Sequence, residues 1–117
     1  NDLLTMVRSG SAKVAVRMEQ FLTELLNTQP NVCRTEQILL IAPPSTVLGK
    51  MAPSSAALDE ACRELGDYYA DIAGKLHIHF ANASVWPVEL GPDGVHMTVT
   101  GHQVFAEEMK KVLADIF

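Results

Sequence analysis

Apolar positions fall on two different periods along this chain, and the alternation between them sets the fold reading. Over 11–27, Val14, Met18, Phe21, Leu22, Leu25 and Leu26 recur at i, i+3, i+4 and i+7, the spacing of one face of an amphipathic helix. Ser9 or Ser11 can cap its start, and Pro30 stops it. Over 36–42 the pattern becomes a near-continuous apolar run, Ile38-Leu39-Leu40-Ile41-Ala42, closed by Pro43-Pro44. Such a run, flanked by helical patterns instead of hairpin turns, reads as a strand buried on both faces of a parallel sheet. The prolines end it at the sheet's carboxyl edge, where open α/β folds bind ligands.

A loop over 45–53, exposing Leu48 and Met51, leads into a second helical pattern over 54–74. Leu58, Ala61, Cys62, Leu65, Tyr69 and Ile72 form its buried stripe, and Gly74 suits the position just past its end. His77-Ile78-His79-Phe80-Ala81 reads as a second strand, and 82–91, which holds Trp86-Pro87, as an irregular connection. Thr100 with Gln103 fits a capping box for a last helix whose apolar face is Val104, Phe105, Met109, Val112, Leu113 and Ile116. The order helix, strand, helix, strand, turn, helix implies a parallel α/β layer structure. Sheets average about five to six strands, so two strands leave the sheet incomplete. Strands not in this chain are expected to complete it, from absent segments or from a partner.

Composition narrows the classes. A chain of 117 residues holds one domain at most, and its 48% apolar and 20% charged content is that of a folded globular type. The net charge is −5, with no basic run, which argues against a nucleic-acid partner because phosphate neutralisation needs clustered cations. The Ile38 to Ala42 run is too short to span a bilayer. The opening residues lack the basic n-region of a signal peptide. Without an initiator Met, Asn1-Asp2 reads either as the continuation of an upstream segment or as a trimmed start. Cys33 and Cys62 read as free buried thiols, which favours a reducing, cytoplasmic location; a secreted or periplasmic one stays open because the natural start is not seen.

The candidate chemistry lies in Asp93-Gly94-Val95-His96-Met97-Thr98-Val99-Thr100-Gly101-His102. Three residues apart in a Gly-containing turn, Asp93 can accept from Nδ1 of His96 and leave Nε2 free as a general base. The same spacing also fits a helix-start turn in which Asp93 caps locally. His77 and His79 share a strand face by period two, and with Asp93, His96 or His102 could compose a metal site. The other reading is two histidines on a half-polar strand face. Trp86, Pro87, Leu48 and Met51 could line an acyl or alcohol pocket, or simply pack.

The 93–102 run resembles the final block of the SGNH or GDSL family of serine esterases and lipases, with its Asp-Gly-x-His-(Leu/Met)-(Thr/Ser)-x-x-Gly-(His/Tyr) pattern. Asn1-Asp2-Leu3-Leu4 resembles the family's Gly-x-Asn-Asp block, and Ile38 to Pro44 a strand and loop two elements before the domain's end. The resemblance covers nearly all of 1–117, but as the C-terminal portion of a single hydrolase domain. It implies a three-layer α/β/α flavodoxin-like fold and hydrolysis of carboxylic esters by a Ser-His-Asp triad, with no cofactor or metal. His96 would be the general base, Asp93 its orienting acid, and Asn1 a donor to the oxyanion. The family's nucleophilic Ser, in a Gly-Asp-Ser block, and its oxyanion Gly have no counterpart here. Ser9, Ser11, Ser45, Ser54, Ser55 and Ser84 all sit in cap, turn or loop contexts, and Ser45 alone lies at a strand's carboxyl edge. An N-terminal segment of the same domain, of about seventy to ninety residues, in one polypeptide or as a second chain, would be the partner that supplies the Ser, with a small ester as substrate. The alternatives are a non-catalytic α/β interaction module and a metal-dependent hydrolase using His77, His79, Asp93 and His96.

Overall fold

The computed structural model describes residues 10–45 and 55–117, of which 55–59 as backbone only. Within them the chain runs α1 (Ser11–Thr28), β1 (Leu39–Ala42), α2 (Ser55–Leu76), β2 (His79–Asn82) and α3 (Val99–Ile116), with 3-10 turns at Thr35–Gln37 and Ala83–Val85. The architecture is α/β, as the alternating periods predict. β1 and β2 pair in parallel, with Leu39 opposite His79, Leu40 opposite Phe80, Ile41 opposite Ala81 and Ala42 opposite Asn82. Parallel strands need a long crossover, and α2 is that crossover.

Because strand side chains alternate faces, Leu40, Ala42 and Phe80 point to one side of the pair and Leu39, Ile41 and His79 to the other. On the first side lies the core: Leu40 and Ala42 with Val14, Ala15 and Leu22 of α1 and Leu65, Tyr69, Ile72 and Ala73 of α2. The helices are also joined by a Ser11 Oγ donation to Glu64 Oε2 at 2.7 Å. The buried line of α1 is narrower than its apolar stripe. Ser11, Val14, Ala15 and Leu22 define it, and Phe21, one residue round the helix from Leu22, stays 59% exposed on the flank.

Element ends depart from the expected ones for local reasons. Ser11 is the first residue of α1 rather than its cap; Gly10, at φ 79°, precedes it with no side-chain cap, and Ser9 lies outside the described residues. The first strand starts at Leu39 instead of residue 36 because Thr35–Gln37 is spent in a 3-10 turn. α2 runs through Gly74 to Leu76, and His77 takes the left-handed position at φ 57°. Ile78 N–H then donates to Ala73 O at 3.0 Å, the six-to-one closure of a Schellman motif, with both Ile78 and Ala73 in the core. His77 therefore ends a helix and is not part of β2.

Contacts of α3 with the rest of the chain include an edge-on ring contact of Trp86 with Phe105 at 5.2 Å and, just past its end, one of His79 with Phe117 at 5.9 Å. Its expected apolar face is present, but Gly101 is its only buried residue, and Leu113 is 40% exposed. Among the described residues that face is only partly covered: Trp86 lies on Phe105, while Val104, Met109, Val112 and Ile116 stay half-buried.

A non-glycine residue in the left-handed region carries a cost of about 1–2 kcal/mol. His77→Gly is therefore expected to raise stability by about 1 kcal/mol, and His77→Val, whose branched Cβ suits that region worst, to lower it. Urea midpoints of the three proteins check this; a lower midpoint for the glycine variant would contradict it.

Candidate active site

The segment after the second 3-10 turn folds back on itself to present the acid and the imidazole. Leu90 and Met97 form an antiparallel bridge. His96 O accepts from Gly91 N–H at 2.7 Å, and Glu89 O accepts from Thr98 N–H at 3.2 Å. At the tip, Gly94 N–H donates to Gly91 O at 3.0 Å, and Gly94 itself sits at φ 69°, a conformation that glycine adopts without steric cost.

Asp93 holds this tip with both carboxylate oxygens. Oδ1 accepts from the backbone N–H of Val95 at 2.9 Å and of His96 at 3.0 Å, an Asx-type turn. Oδ2 lies 2.5 Å from Nδ1 of His96. The local cap and the ring contact, alternatives on spacing alone, are made by one side chain. The side-chain hydrogen bond to His96 comes first, with the His96 and Val95 amides after it, in holding the Asp93 carboxyl well below the usual carboxylate range. An ionised Asp93 accepts a proton-bearing Nδ1, which leaves the lone pair of a neutral ring on Nε2. The His96 side chain is 85% exposed, and Nε2 makes no hydrogen bond among the described residues.

The imidazole borders an open groove of about 290 Å³ lined by Pro43, Pro44, Leu90, Val95, Met97 and His102. The two prolines that end β1 thus stand beside His96, at the carboxyl edge of the strand pair. Among the described residues, apolar side chains and imidazoles make up this lining, with no carboxylate or ammonium.

The start of α3 differs from the expected capping box. Thr98, extended at φ −74° and ψ 173°, is the cap, because Val99 and Thr100 are already helical. Its Oγ1 accepts from Gly101 N–H at 3.0 Å and donates to Glu89 Oε1 at 2.7 Å. Gly101 is buried against the Glu89 backbone, where an added Cβ would run into the Glu89 carbonyl. Glu89 was not among the residues the sequence pointed to. Its contacts are tertiary, nine residues from Thr98, and follow no helical or strand spacing.

The other candidates are dispersed. Asn1, Leu48 and Met51 lie outside the described residues. Ser45 Oγ donates to Ser84 O at 3.0 Å, and Ser84 Oγ to Asn82 Oδ1 at 2.5 Å, so both serve the turn after β2. Among the described residues no serine hydroxyl is bonded to His96. Trp86 lies on Phe105, and neither it nor Pro87 lines the groove. His77 ends α2, while Nε2 of His79 lies 3.1 Å from Glu36 O; the two histidines do not share a strand face. Among the described residues, no three His, Cys, Asp or Glu side chains are placed to hold a metal ion, and no helix is long and apolar enough to cross a membrane. Cys62 is buried and Cys33 partly exposed. No known protein family, curated protein or solved structure matches this chain.

Two outcomes follow from this geometry. Gly101→Ala should lower stability by about 1–3 kcal/mol, the cost of overpacking against backbone that cannot swing aside; an unshifted urea midpoint would show the contact to be soft. Asp93, whose folded-state value is depressed, contributes stability that is complete above the ordinary carboxyl range near about 4 and is lost as pH falls through the depressed value. The stability gap between the parent and Asp93→Asn should therefore persist from pH 7 down to about 4 and close only below it. A gap already closed at pH 5 would refute the assignment.

Proposed function

We propose that this chain is the C-terminal portion of an SGNH-type serine ester hydrolase domain with a three-layer α/β/α flavodoxin-like fold, acting on small carboxylic esters. The observation that carries the reading is the 2.5 Å contact of Asp93 Oδ2 with His96 Nδ1, which leaves Nε2 directed away from its acid, beside an apolar groove at a strand's carboxyl edge. A serine from an upstream segment of the same domain, in one polypeptide or as a second chain, would present its hydroxyl to Nε2.

His96 then takes the hydroxyl proton as the serine oxygen attacks the ester carbonyl. The tetrahedral oxyanion accepts from the Asn1 side-chain amide, a kind of contact worth about 2.7–4 kcal/mol. His96 returns the proton to the departing alcohol, and water, activated by the same Nε2, hydrolyses the acyl-enzyme. Asp93 stays ionised throughout and stabilises the imidazolium. The uncharged groove suits a neutral ester. The two-stranded sheet and the only partly covered face of α3 fit a domain whose remaining strands lie upstream.

The test is hydrolysis of a short-chain p-nitrophenyl ester by this chain together with its upstream segment, in the presence of a chelator. Turnover should survive the chelator, fall by roughly 10⁴-fold or more in His96→Ala, and be absent from this chain alone. Unchanged turnover in His96→Ala would sink the reading. An upstream segment lacking a serine in a Gly-Asp-Ser setting would favour a non-catalytic interaction module instead.

A further inference from the structure

Resting on that reading, we propose that Glu89 is a positioning residue that sets the placement of the His96 imidazole through the hydroxyl of Thr98. The Asp93–His96 contact fixes the ring relative to its own turn, since both partners lie in that turn. It does not fix the turn relative to the rest of the fold. That second constraint comes from where the turn meets α3, and Glu89 is at the centre of it. Its carbonyl accepts from Thr98 N–H at 3.2 Å, its backbone packs against Gly101, and its carboxylate accepts from Thr98 Oγ1 at 2.7 Å.

A threonine hydroxyl has one proton to donate. The Thr98 proton goes to Glu89 Oε1 at 2.7 Å in preference to Glu89 O at 3.4 Å, because a bond to a carboxylate is charge-assisted and shorter. The same oxygen accepts from Gly101 N–H at 3.0 Å, so one atom joins the first turn of α3 to the Glu89 side chain. A carboxylate beside a helix N-terminus is also favoured by the helix dipole. His96 stands two residues before Thr98, and its own carbonyl is held by Gly91 N–H on the leg that Glu89 begins. With the carboxylate removed, the hydroxyl proton is left only the longer contact to Glu89 O at 3.4 Å, and the junction loses its charge-assisted side-chain tie. A displacement of the imidazole by about 1 Å is enough to cost about 100-fold in rate.

Two pairs of variants test this: Glu89→Gln and Thr98→Ser keep the acceptor and the hydroxyl, while Glu89→Ala and Thr98→Val remove them. In NMR spectra of this chain, exchange of the His96 Nδ1 proton with solvent should be faster in the Ala and Val variants and close to the parent in the Gln and Ser variants. In ester hydrolysis by the complete domain, the Ala and Val variants should lose about 10–100-fold in kcat at near-constant KM, with the Gln and Ser variants retaining most of the activity. Should Glu89→Ala not fold, Thr98→Val against Thr98→Ser decides. A lowered melting temperature in the Ala and Val variants with unaltered Nδ1 exchange would overturn the proposal and leave Glu89 a structural partner only. Persistence of turnover in His96→Ala would remove the esterase reading, whereas the Nδ1 exchange result stands on its own.

Discussion

The parallel pairing of β1 with β2 is the constraint on which the other features depend. Two parallel strands cannot be joined by a tight turn, so the register from Leu39 with His79 to Ala42 with Asn82 requires a crossover as long as α2. Burying one face of that crossover requires α1. Parallel direction also brings both carboxyl ends to one edge. Pro43-Pro44, the Ser45 to Ser84 link and the 3-10 turn at Ala83–Val85 all sit there. The strand pair thus decides where the imidazole stands as well as how the core is built.

Near that edge one carboxylate makes three hydrogen-bond contacts. Asp93 Oδ1 satisfies two backbone amides of its own turn, and Oδ2 holds the ring. Fixing the turn and fixing the tautomer are then a single event, and the ring is oriented without burying the pair. An exposed ion pair adds little stability. Its worth here is geometric: the carboxylate that closes the turn is held in place to accept from the ring.

The elements that periodicity reports were legible in the sequence: three amphipathic helices, two short strands in alternating order, and an acid and an imidazole close enough to touch. Features governed by backbone conformation at a single residue were not. Gly74 looked like the end of α2 because glycine enters the left-handed region freely, yet Ala73 and Ile78 gain burial only if the helix continues to Leu76 and His77 makes the turn. Thr100 matched a capping pattern, yet Thr98 has the partner that matters, Glu89, whose approach depends on the absence of a side chain at Gly101. Phe21 had the right period, but the buried line of α1 runs along Ser11, Val14, Ala15 and Leu22. In each case a tertiary contact outweighed a local preference that was itself correctly read.

The apolar face of α3 bears on the function in a way that no single residue does. Val104, Phe105, Met109 and Val112 repeat with helical spacing, yet none is fully buried among the described residues. Each Å² of apolar surface left in water forgoes about 25 cal/mol, and an apolar face left partly in water is a place where something else can pack. In the proposed reading, the upstream segment that brings the nucleophilic serine also brings the strands that lie under this face. Two gaps of different kinds, one chemical and one in the packing, then have a single cause. Covering α3 would hold its first turn against Glu89, and with it the His96 imidazole, at the moment the serine arrives. On that view assembly of the sheet and assembly of the catalytic site are the same step, because the helix that needs the missing strands is the one whose N-terminus carries the base.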